Sequence, residues 1–277
     1  QTGIGNPSEA YTVLRKINGR RAYGQRTCCV AVAPSTKSVC ACNFYDGTLS
    51  VFDVDAKGYM SPARLVIKPP DAAPWKALHC VGYVQEKYIG VISLAECALI
   101  IYRSDNGQRV ADYIFPGQPF PRYFAVYGKY IYAMMQTPDD IYIFESHLEN
   151  GGGIELIQKI SVMDACFTGQ KATSTLRLTP GGELLLAANR PSGSITVFRR
   201  TCAGTLERST VVSLPGKVPR DFQISGDGRI VVSALQKSDE ICVHEIDYKR
   251  AALCERGKKV SIPSPAAVAV SRRIYVE

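Results

Sequence analysis

The stretch of sequence that decides the fold is LLLAANRPSGSITVF, residues 184–198, which predicts two short strands around a polar turn. A pair of polar residues, Asn189 and Arg190, lies where the first of these strands ends. One hairpin alone does not show whether Arg190 is an isolated surface charge or one member of a set. The answer depends on whether the same pattern recurs along the chain.

The pattern occurs five times along the chain. Each copy has 15 residues and runs through an apolar strand, a polar connection and a second strand that ends in an aromatic ring. The copies are SVCACNFYDGTLSVF (38–52), YIGVISLAECALIIY (88–102), YIYAMMQTPDDIYIF (130–144), LLLAANRPSGSITVF (184–198) and IVVSALQKSDEICVH (230–244). Their last residues lie 50, 42, 54 and 46 residues apart, a period typical of the blades of a β-propeller.

More of the repeat surrounds each hairpin. A further strand precedes every copy, for example LHCVGYV (78–84), and a more polar strand follows, for example ARLVIK (63–68). Long amphipathic helical patterns are absent from the sequence. Four strands in each of five repeats predict an all-β fold, a β-propeller of four-stranded blades that forms a single domain over residues 1–277.

The two ends of the repeat array predict incomplete blades. The segment YTVLRKI (11–17) has the pattern of the last strand of a blade, and PAAVAVS (265–271) has that of a first strand. A closed propeller normally joins its two ends within one blade, which removes the open sheet edge. The sequence therefore predicts either a chain that is short by about one blade on its N-terminal side or a six-bladed ring closed by both fragments.

The composition, 46% hydrophobic and 21% charged residues, is that of a globular protein. The net charge of +8 comes from dispersed Lys and Arg residues, which argues against a nucleic-acid partner. Such a charge is compatible with an ordinary solvated surface, and it also suits a small anionic metabolite as partner. The sequence contains no run of about 18 apolar residues, so it predicts no membrane-spanning helix. No signal peptide is visible. We expect a monomer or dimer.

The ten cysteines do not form a recognisable disulfide or metal-binding framework. Cys40 and Cys42 lie two residues apart on one strand, and no C-x-x-C pair occurs, so the cysteines are expected to be reduced. The histidines, His79, His147 and His244, are scattered along the chain. The sequence therefore predicts no metal and no cofactor, and it favours a reducing, cytoplasmic location.

Two recurring positions are expected to meet at one mouth of the propeller, namely the start of each first strand and the middle of each hairpin. The seventh hairpin positions are Phe44, Leu94, Gln136, Arg190 and Gln236. The first-strand starts are the pairs Cys28-Cys29, Leu78-His79, Arg122-Tyr123, Ser174-Thr175 and Arg220-Asp221. Three arginines, a histidine and an aspartate thus converge, and planar guanidinium groups suit carboxylate or phosphate. Structural roles, as clamps between blades or as a strand-end histidine, are the alternatives.

The last two repeats resemble a known family of propellers. The segments TPGGELLLAANRPSGSITVF (179–198) and GKVPRDFQISGDGRIVVSALQKSDEICVHEID (216–247) are similar to the lactonase family. That family includes propeller-type 6-phosphogluconolactonases and carboxy-muconate cyclases, and the resemblance extends from about Cys28 to Val270. It implies a seven-bladed architecture whose first blade and part of the second are absent here.

The resemblance also implies roles for individual residues. The family's histidine and its Pro-Arg and Asn-Arg motifs are retained. With the rim positions, this predicts His79, Arg190 and Asp221 as catalytic residues and Arg122, Arg220, Gln136, Asn189 and Lys217 as substrate-binding residues. Two acids of the family correspond here to Gln136 and Thr175. Because glutamine cannot accept a proton from water, His79 is expected to act as base, with Asp221 orienting it or substituting for it.

The function implied by the resemblance is hydrolysis of an anionic sugar lactone such as 6-phosphogluconolactone, on the mouth of the propeller. Two alternatives remain open at this stage. One is a non-catalytic propeller that binds a small anion or a protein partner, which the replaced acids favour. The other is a muconate-type cycloisomerase. The step from fold to activity is an analogy, so the sequence leaves open whether the chain is an enzyme.

Overall fold

The computed structural model describes residues 16–69 and 77–270. These residues form twenty strands in five antiparallel sheets of four strands each, and they contain two short 3-10 turns but no α-helix. Within each sheet the strands are ordered as they occur in the chain, so each sheet is a simple meander. The predicted all-β propeller of four-stranded blades is confirmed.

Each sheet is one blade, and its first strand is the innermost. Blade 1 contains β1 (Thr27–Val32), β2 (Ser38–Asn43), β3 (Leu49–Val54) and β4 (Met60–Ile67). Blade 2 contains β5 (Leu78–Val84), β6 (Tyr88–Ser93), β7 (Ala98–Arg103) and β8 (Arg109–Ile114). Blade 3 contains β9 (Pro121–Tyr127), β10 (Tyr130–Met135), β11 (Asp140–Ser146) and β12 (Ile154–Ser161). Blade 4 contains β13 (Thr173–Leu178), β14 (Leu184–Asn189), β15 (Ser194–Arg200) and β16 (Leu206–Ser213). Blade 5 contains β17 (Pro219–Ile224), β18 (Ile230–Leu235), β19 (Glu240–Asp247) and β20 (Ala252–Ser261).

The five 15-residue segments form the second and third strands of the five blades, at equivalent places. The reason lies in burial. A second strand packs against neighbouring blades on both of its faces, so it is apolar throughout, and β6 and β14 are buried at every position. The outermost strand has one face in solvent, and β16 accordingly alternates between exposed and shielded residues.

Neighbouring blades share their cores. Between blades 2 and 3, the ring of Phe124 packs against β5 and β6, where Gly82 and Gly90 are cross-strand partners. A Cβ atom would lie 2.9 Å from the Phe124 ring at Gly90 and 3.0 Å at Gly82, closer than side chains normally approach. The two glycines therefore form a flat seat that lets the aromatic ring lie directly on the sheet.

The five blades form an arc around a central channel. Contacts between innermost strands run from β1 to β5, β9, β13 and β17 in turn. A channel cavity of about 610 Å³ is lined by side chains from four of these strands, β1, β9, β13 and β17. They include Val30, Tyr123, Arg177 and Ile224. The arc therefore presents one mouth at the starts of the innermost strands.

Of the two end fragments, only the C-terminal one lies largely within the described residues. Most of segment 11–17 lies outside them, and residues 16, 17 and 265–270 form no strand. The backbone amide of Val268 instead donates to the Asp221 carboxylate at 3.0 Å, so a side chain takes the place of a ladder partner. The described residues thus form five blades, and residues 265–270 add no strand that would begin a sixth.

Candidate active site at the channel mouth

A β-bulge recurs at the start of every innermost strand. In each blade the pairing with the second strand skips one or two residues there, as between Leu78 and Cys80 or between Pro219 and Asp221. The skipped residue has no ladder partner, and a bulge of this kind redirects its side chain. The second residues of the five innermost strands, all within these bulges, are Cys28, His79, Arg122, Ser174 and Arg220.

A recurring backbone hydrogen bond ties the hairpins to the same mouth. In each blade the amide of the seventh hairpin residue donates to the carbonyl just before the innermost strand. Examples are Gln136 N to Phe120 O at 2.6 Å and Arg190 N to Ala172 O at 3.0 Å. The two sets of positions that the sequence placed on a common mouth therefore lie together, and Arg190 belongs to a recurring set.

The mouth contains a cleft of about 410 Å³, which we call the mouth cleft. Eight residues line this cleft, and four of them are site residues predicted from the sequence, namely His79, Arg122, Gln136 and Arg220. The lining residues are Arg26, Cys28, Phe44, His79, Phe120, Arg122, Gln136 and Arg220. Three of them are arginines and none is acidic, so the cleft is a region of positive potential.

Arg122 is the most deeply placed cation of the cleft, with 8% of its surface exposed. Its Nε donates to the carbonyl of Ser174 at 2.8 Å, and its Nη1 donates to Gln136 Oε1 at 2.8 Å. Burial, reinforced by the charges of Arg220 and Arg190, lowers the pKa of Arg122 to about 9. The group stays cationic at neutral pH, and none of the described residues supplies it with a carboxylate partner.

His79 is held in its neutral form beside this cation. Its Nε2 lies 3.2 Å from Nη1 of Arg122. Because a guanidinium can only donate, Nε2 must accept, and the ring proton must lie on Nδ1. That Nδ1 is buried without a hydrogen-bond partner. Burial, followed by the charge of Arg122, lowers the pKa of His79 to about 4, so the imidazole is an unprotonated base at neutral pH.

The other two predicted arginines differ in their surroundings. Arg190 lies outside the cleft lining, and its Nε donates to Ala172 O at 3.4 Å. Burial, followed by the charge of Arg220, lowers the pKa of Arg190. Arg220 lines the cleft, and among the described residues no hydrogen bond or ion pair engages its side chain. Arg220 is therefore a cation available to a ligand.

Asp221 does not contact His79. Its carboxylate lies 3.3 Å from the guanidinium of Arg177 and also accepts the Val268 amide. Arg177 is stacked over Tyr123 at 4.7 Å, so this ion pair belongs to the channel below the mouth. The expected orienting contact between Asp221 and His79 is absent because a nearer guanidinium occupies the carboxylate.

Two further predicted substrate-binding residues lie outside the cleft lining. Asn189 is fully buried, and its Oδ1 accepts the Ala172 amide at 2.9 Å. It therefore fixes the loop before β13 rather than presenting its side chain at the surface. Lys217 is exposed in the loop before β17, where its backbone amide donates to Ser238 Oγ at 2.8 Å.

Sequence reasoning missed Arg26 and Phe120 as site residues. Both immediately precede an innermost strand, and both side chains line the cleft. The guanidinium of Arg26 donates to the Tyr45 hydroxyl and stacks on the rings of Tyr45, at 5.0 Å, and Phe44, at 5.8 Å. Its φ of 61° is unusual for a residue other than glycine, and such strain is often found at functional sites. The recurring position before each first strand was the signal available.

The described part of the chain contains no group of His, Cys, Asp and Glu side chains with the geometry of a metal site. All ten sulfurs are free thiols in the structure. Within residues 16–69 and 77–270 there is also no helix of the length and hydropathy needed to cross a membrane. The lining of the mouth cleft supplies three guanidiniums, one neutral imidazole, an amide, a thiol and two aromatic rings.

Fold and site together define a β-propeller with a cationic cleft at one end of its channel. In a comparison with known protein families, residues 6–270 match the lactonase family of seven-bladed β-propellers. The chain belongs to this family. The 6-phosphogluconolactonase of Bacillus subtilis (strain 168) is 26% identical over 266 residues, which cover 92% of this chain and 76% of that protein.

Other relatives match a part of the chain or its fold. The 6-phosphogluconolactonase of Serratia proteamaculans (strain 568) is 32% identical over 134 residues, 46% of this chain and 39% of that protein. The solved structure of a periplasmic gluconolactonase from Pseudomonas aeruginosa superposes with a TM-score of 0.75 at 20% identity. That superposition covers 89% of this chain and 73% of the other, and it shows a shared fold.

Proposed function

We propose that the chain hydrolyses an anionic sugar lactone, with 6-phosphogluconolactone as the leading candidate, in the mouth cleft. The observation that carries the proposal is Arg220, a partly buried guanidinium in the cleft that has no counter-ion among the described residues. Such a cation is costly to keep unpaired, so it favours an anion in the cleft. The curated 6-phosphogluconolactonase relatives support a phosphorylated lactone as that anion.

The anionic end of the substrate is assigned to Arg220 and Arg26, which line the same cleft. Arg26 is pre-positioned by Tyr45 and Phe44, so binding loses little side-chain entropy. Each charge-assisted hydrogen bond contributes on the order of 1.5–3 kcal/mol, and two arginines suffice for binding at micromolar to millimolar concentrations. Phe44 and Phe120 form the walls against which the sugar ring lies.

His79 is assigned as the general base. Its Nε2 lone pair is engaged by Nη1 of Arg122. The anionic substrate competes for that guanidinium, and the loss of this contact frees Nε2 to accept a proton from water. Burial, followed by the charges of Arg122 and Arg220, lowers the pKa of His79 to about 4. The substrate's negative charge offsets the part that comes from the two cations, so substrate binding makes the base stronger.

In the hydrolytic step, water loses a proton to His79 Nε2, and the water oxygen adds to the lactone carbonyl carbon. Arg122 stabilises the negative charge that develops on the carbonyl oxygen. The ester bond between the carbonyl carbon and the ring oxygen then breaks. The ring oxygen takes the proton back from His79 and becomes a hydroxyl group, leaving the open-chain carboxylic acid. Arg190 contributes to this step at a distance, through the positive potential it adds near Arg122.

A second candidate function is anion binding without catalysis. It is favoured by the absence of an acid from the cleft lining and by the engagement of Asp221 with Arg177. In that case Gln136 serves only to hold Arg122 through the 2.8 Å hydrogen bond. A muconate-type cycloisomerase would use the same arginines for a diacid, and no feature of the cleft favours it over the lactone.

We further propose that the five blades act as one domain, since the cleft residues come from blades 1, 2, 3 and 5. The chain is assigned to the cytoplasm on the basis of its ten free thiols, four of which are exposed. A monomer or dimer remains the expected oligomeric state. Sizing chromatography with light scattering tests it, and a larger assembly would contradict it.

The deciding experiment compares lactone hydrolysis by the purified protein with the spontaneous rate in buffer. The proposal expects wild type and Arg229→Ala to accelerate hydrolysis of 6-phosphogluconolactone, while His79→Gln and Arg220→Ala lose most of that acceleration. Arg229 is a suitable control because it is exposed on the turn at the far end of β17. A protein that binds 6-phosphogluconate but does not accelerate hydrolysis would establish the second candidate. A protein that does neither would overturn both.

A further inference from the structure

A pair of thiols lies at the edge of the mouth cleft, and the proposed hydrolysis does not use it. Cys28 is exposed and lines the cleft, whereas Cys42, on β2, is buried. Their sulfur atoms are 3.7 Å apart. The pair therefore combines a thiol that solvent can reach with a second thiol directly behind it.

The bulge at the start of β1 creates this arrangement. Thr27 pairs with Asn43 and Cys29 pairs with Cys42, so Cys28 and Cys29 together face the single residue Cys42. Opposed residues of antiparallel strands have Cα atoms about 4.5–5.5 Å apart, within the roughly 4.4–6.8 Å that a disulfide spans. Closing the sulfur atoms to bonding distance thus requires side-chain rotation at a bulge, where the ladder is already interrupted.

The surroundings of Cys28 favour its thiolate. A hydrogen bond from the Cys42 thiol lowers the pKa of Cys28, and the nearby charge of Arg26 acts in the same direction. The same hydrogen bond raises the pKa of Cys42, which stays protonated as the donor. In its thiol form, Cys28 donates to the carbonyl of Leu78 at 3.1 Å. The thiolate is the form that reacts with oxidants.

We propose that Cys28 is a site of reversible oxidation by peroxides, with Cys42 as the resolving thiol. The Cys28 thiolate attacks one oxygen of hydrogen peroxide, the O–O bond breaks, and with one proton taken up the products are Cys28 sulfenic acid and water. The Cys42 sulfur then attacks the sulfenic sulfur, its proton leaves with the hydroxyl group as a second water, and a disulfide forms. Two thiols lose two electrons, and the peroxide gains them.

The proposal is independent of lactone hydrolysis, and it distinguishes Cys28 from the other exposed cysteines of the chain. Cys166, Cys202 and Cys254 are equally accessible, yet the structure gives none of them a neighbouring thiol at a comparable distance. Cys29 is the competing partner for Cys42, because the two are opposed in the ladder. Hydrogen bonds from the thiols of Cys42 and Cys80 lower the pKa of Cys29 to about 3, and its sulfur also lies 3.6 Å from the carbonyl of Val81. Cys29 is only partly exposed and lies outside the cleft lining, so Cys28 is the thiol of the pair that a peroxide in the cleft reaches.

The test treats reduced protein with a small excess of hydrogen peroxide, quenches with acid, alkylates the free thiols and maps disulfides by tandem mass spectrometry. We expect a Cys28–Cys42 disulfide to form at least about tenfold faster than Cys202 or Cys254 is oxidised at neutral pH, because a lower pKa gives a larger thiolate fraction. Dithiothreitol should restore both thiols. The Cys29→Ser variant should still form the same disulfide.

Two outcomes would overturn the proposal. Oxidation of Cys28 at the rate of Cys202 would show that Cys42 confers no reactivity, and loss of the disulfide in Cys29→Ser would assign the bond to Cys29. In Cys42→Ser the sulfenic acid cannot be resolved, so dimedone should trap it on Cys28. Should that variant fail to fold, the wild-type disulfide map and the comparison with Cys202 still decide the matter.

Discussion

Nη1 of Arg122 lies 3.2 Å from Nε2 of His79, so a buried guanidinium donates to the lone pair that a general base would use. The two residues occupy the bulge positions of neighbouring blades. Burial, followed by the charge of Arg122, keeps the imidazole neutral, and the contact keeps its proton on Nδ1. The contact also couples anion binding to the basicity of His79, because an anion that draws Arg122 away exposes the Nε2 lone pair.

The first prediction concerns Arg220. Arg220→Ala should weaken binding of 6-phosphogluconate about tenfold or more, because one charge-assisted contact of on the order of 1.5–3 kcal/mol is lost. Arg190→Ala should have a smaller effect, since Arg190 lies outside the cleft lining and bonds to Ala172. Isothermal titration calorimetry measures both, with Arg229→Ala as the control. Equal affinities for wild type and Arg220→Ala would remove the anion site from the cleft.

The second prediction concerns Arg26 as a determinant of phosphate preference. Arg26→Gln should lower kcat/KM for 6-phosphogluconolactone about tenfold while leaving that for the unphosphorylated lactone nearly unchanged. Tyr45→Phe removes the hydroxyl that holds the guanidinium and should shift the preference in the same direction by a smaller factor. If both lactones lose equal activity in Arg26→Gln, the residue has a structural role instead.

The third prediction concerns the pH dependence of His79. The unprotonated imidazole is the active form, so kcat/KM should be lost only as pH falls through the pKa of His79, about 4 in the free protein. Bound inorganic phosphate should raise this pKa, because it offsets the charges of Arg122 and Arg220. NMR titration of the His79 ring protons, assigned with His79→Gln, measures both values. A pKa near the ordinary value of about 6.5 that phosphate does not move would contradict the assignment.

The fourth prediction concerns the amide that replaces an acid of the family. In Gln136→Glu a carboxylate takes the place of the amide oxygen that lies 2.8 Å from Arg122 Nη1. The new ion pair offsets the charge of Arg122, so the pKa of His79 should rise and affinity for 6-phosphogluconate should fall severalfold. The same NMR titration and calorimetry check the two effects. An unchanged affinity would show that Arg122 does not contribute to the cleft's potential.

The fifth prediction concerns the packing between blades 2 and 3. Gly90→Ala places a methyl group 2.9 Å from the Phe124 ring and should lower the free energy of unfolding by about 1–3 kcal/mol. Gly153→Ala is the matched control, because a Cβ atom there meets no atom within 4 Å. Urea denaturation of both variants provides the comparison. Equal free energies of unfolding for the two variants would mean that the Phe124 ring moves aside without an energetic cost.

The tandem 15-residue hairpins and their flanking strands could be predicted from sequence because each blade is a local meander. Every strand pairs with the next one in the chain, so strand, turn and register are determined by adjacent residues, as in residues 184–198. The same local regularity put His79, Arg122 and Arg220 at equivalent strand-start positions and Arg190 in the middle of its hairpin, and the structure brings them to one mouth.

The tertiary structure alone decided how these side chains are used, because their partners come from other blades. Arg122 bonds to the carbonyl of Ser174, 52 residues away, and Asp221 is engaged by Arg177, 44 residues away. No local pattern encodes such contacts, nor the thiol behind Cys28 or the burial that keeps His79 neutral. Sequence determined the repeat, whose interactions are short-range. Distance, desolvation and competition between charges across the channel arise only once the blades are packed side by side.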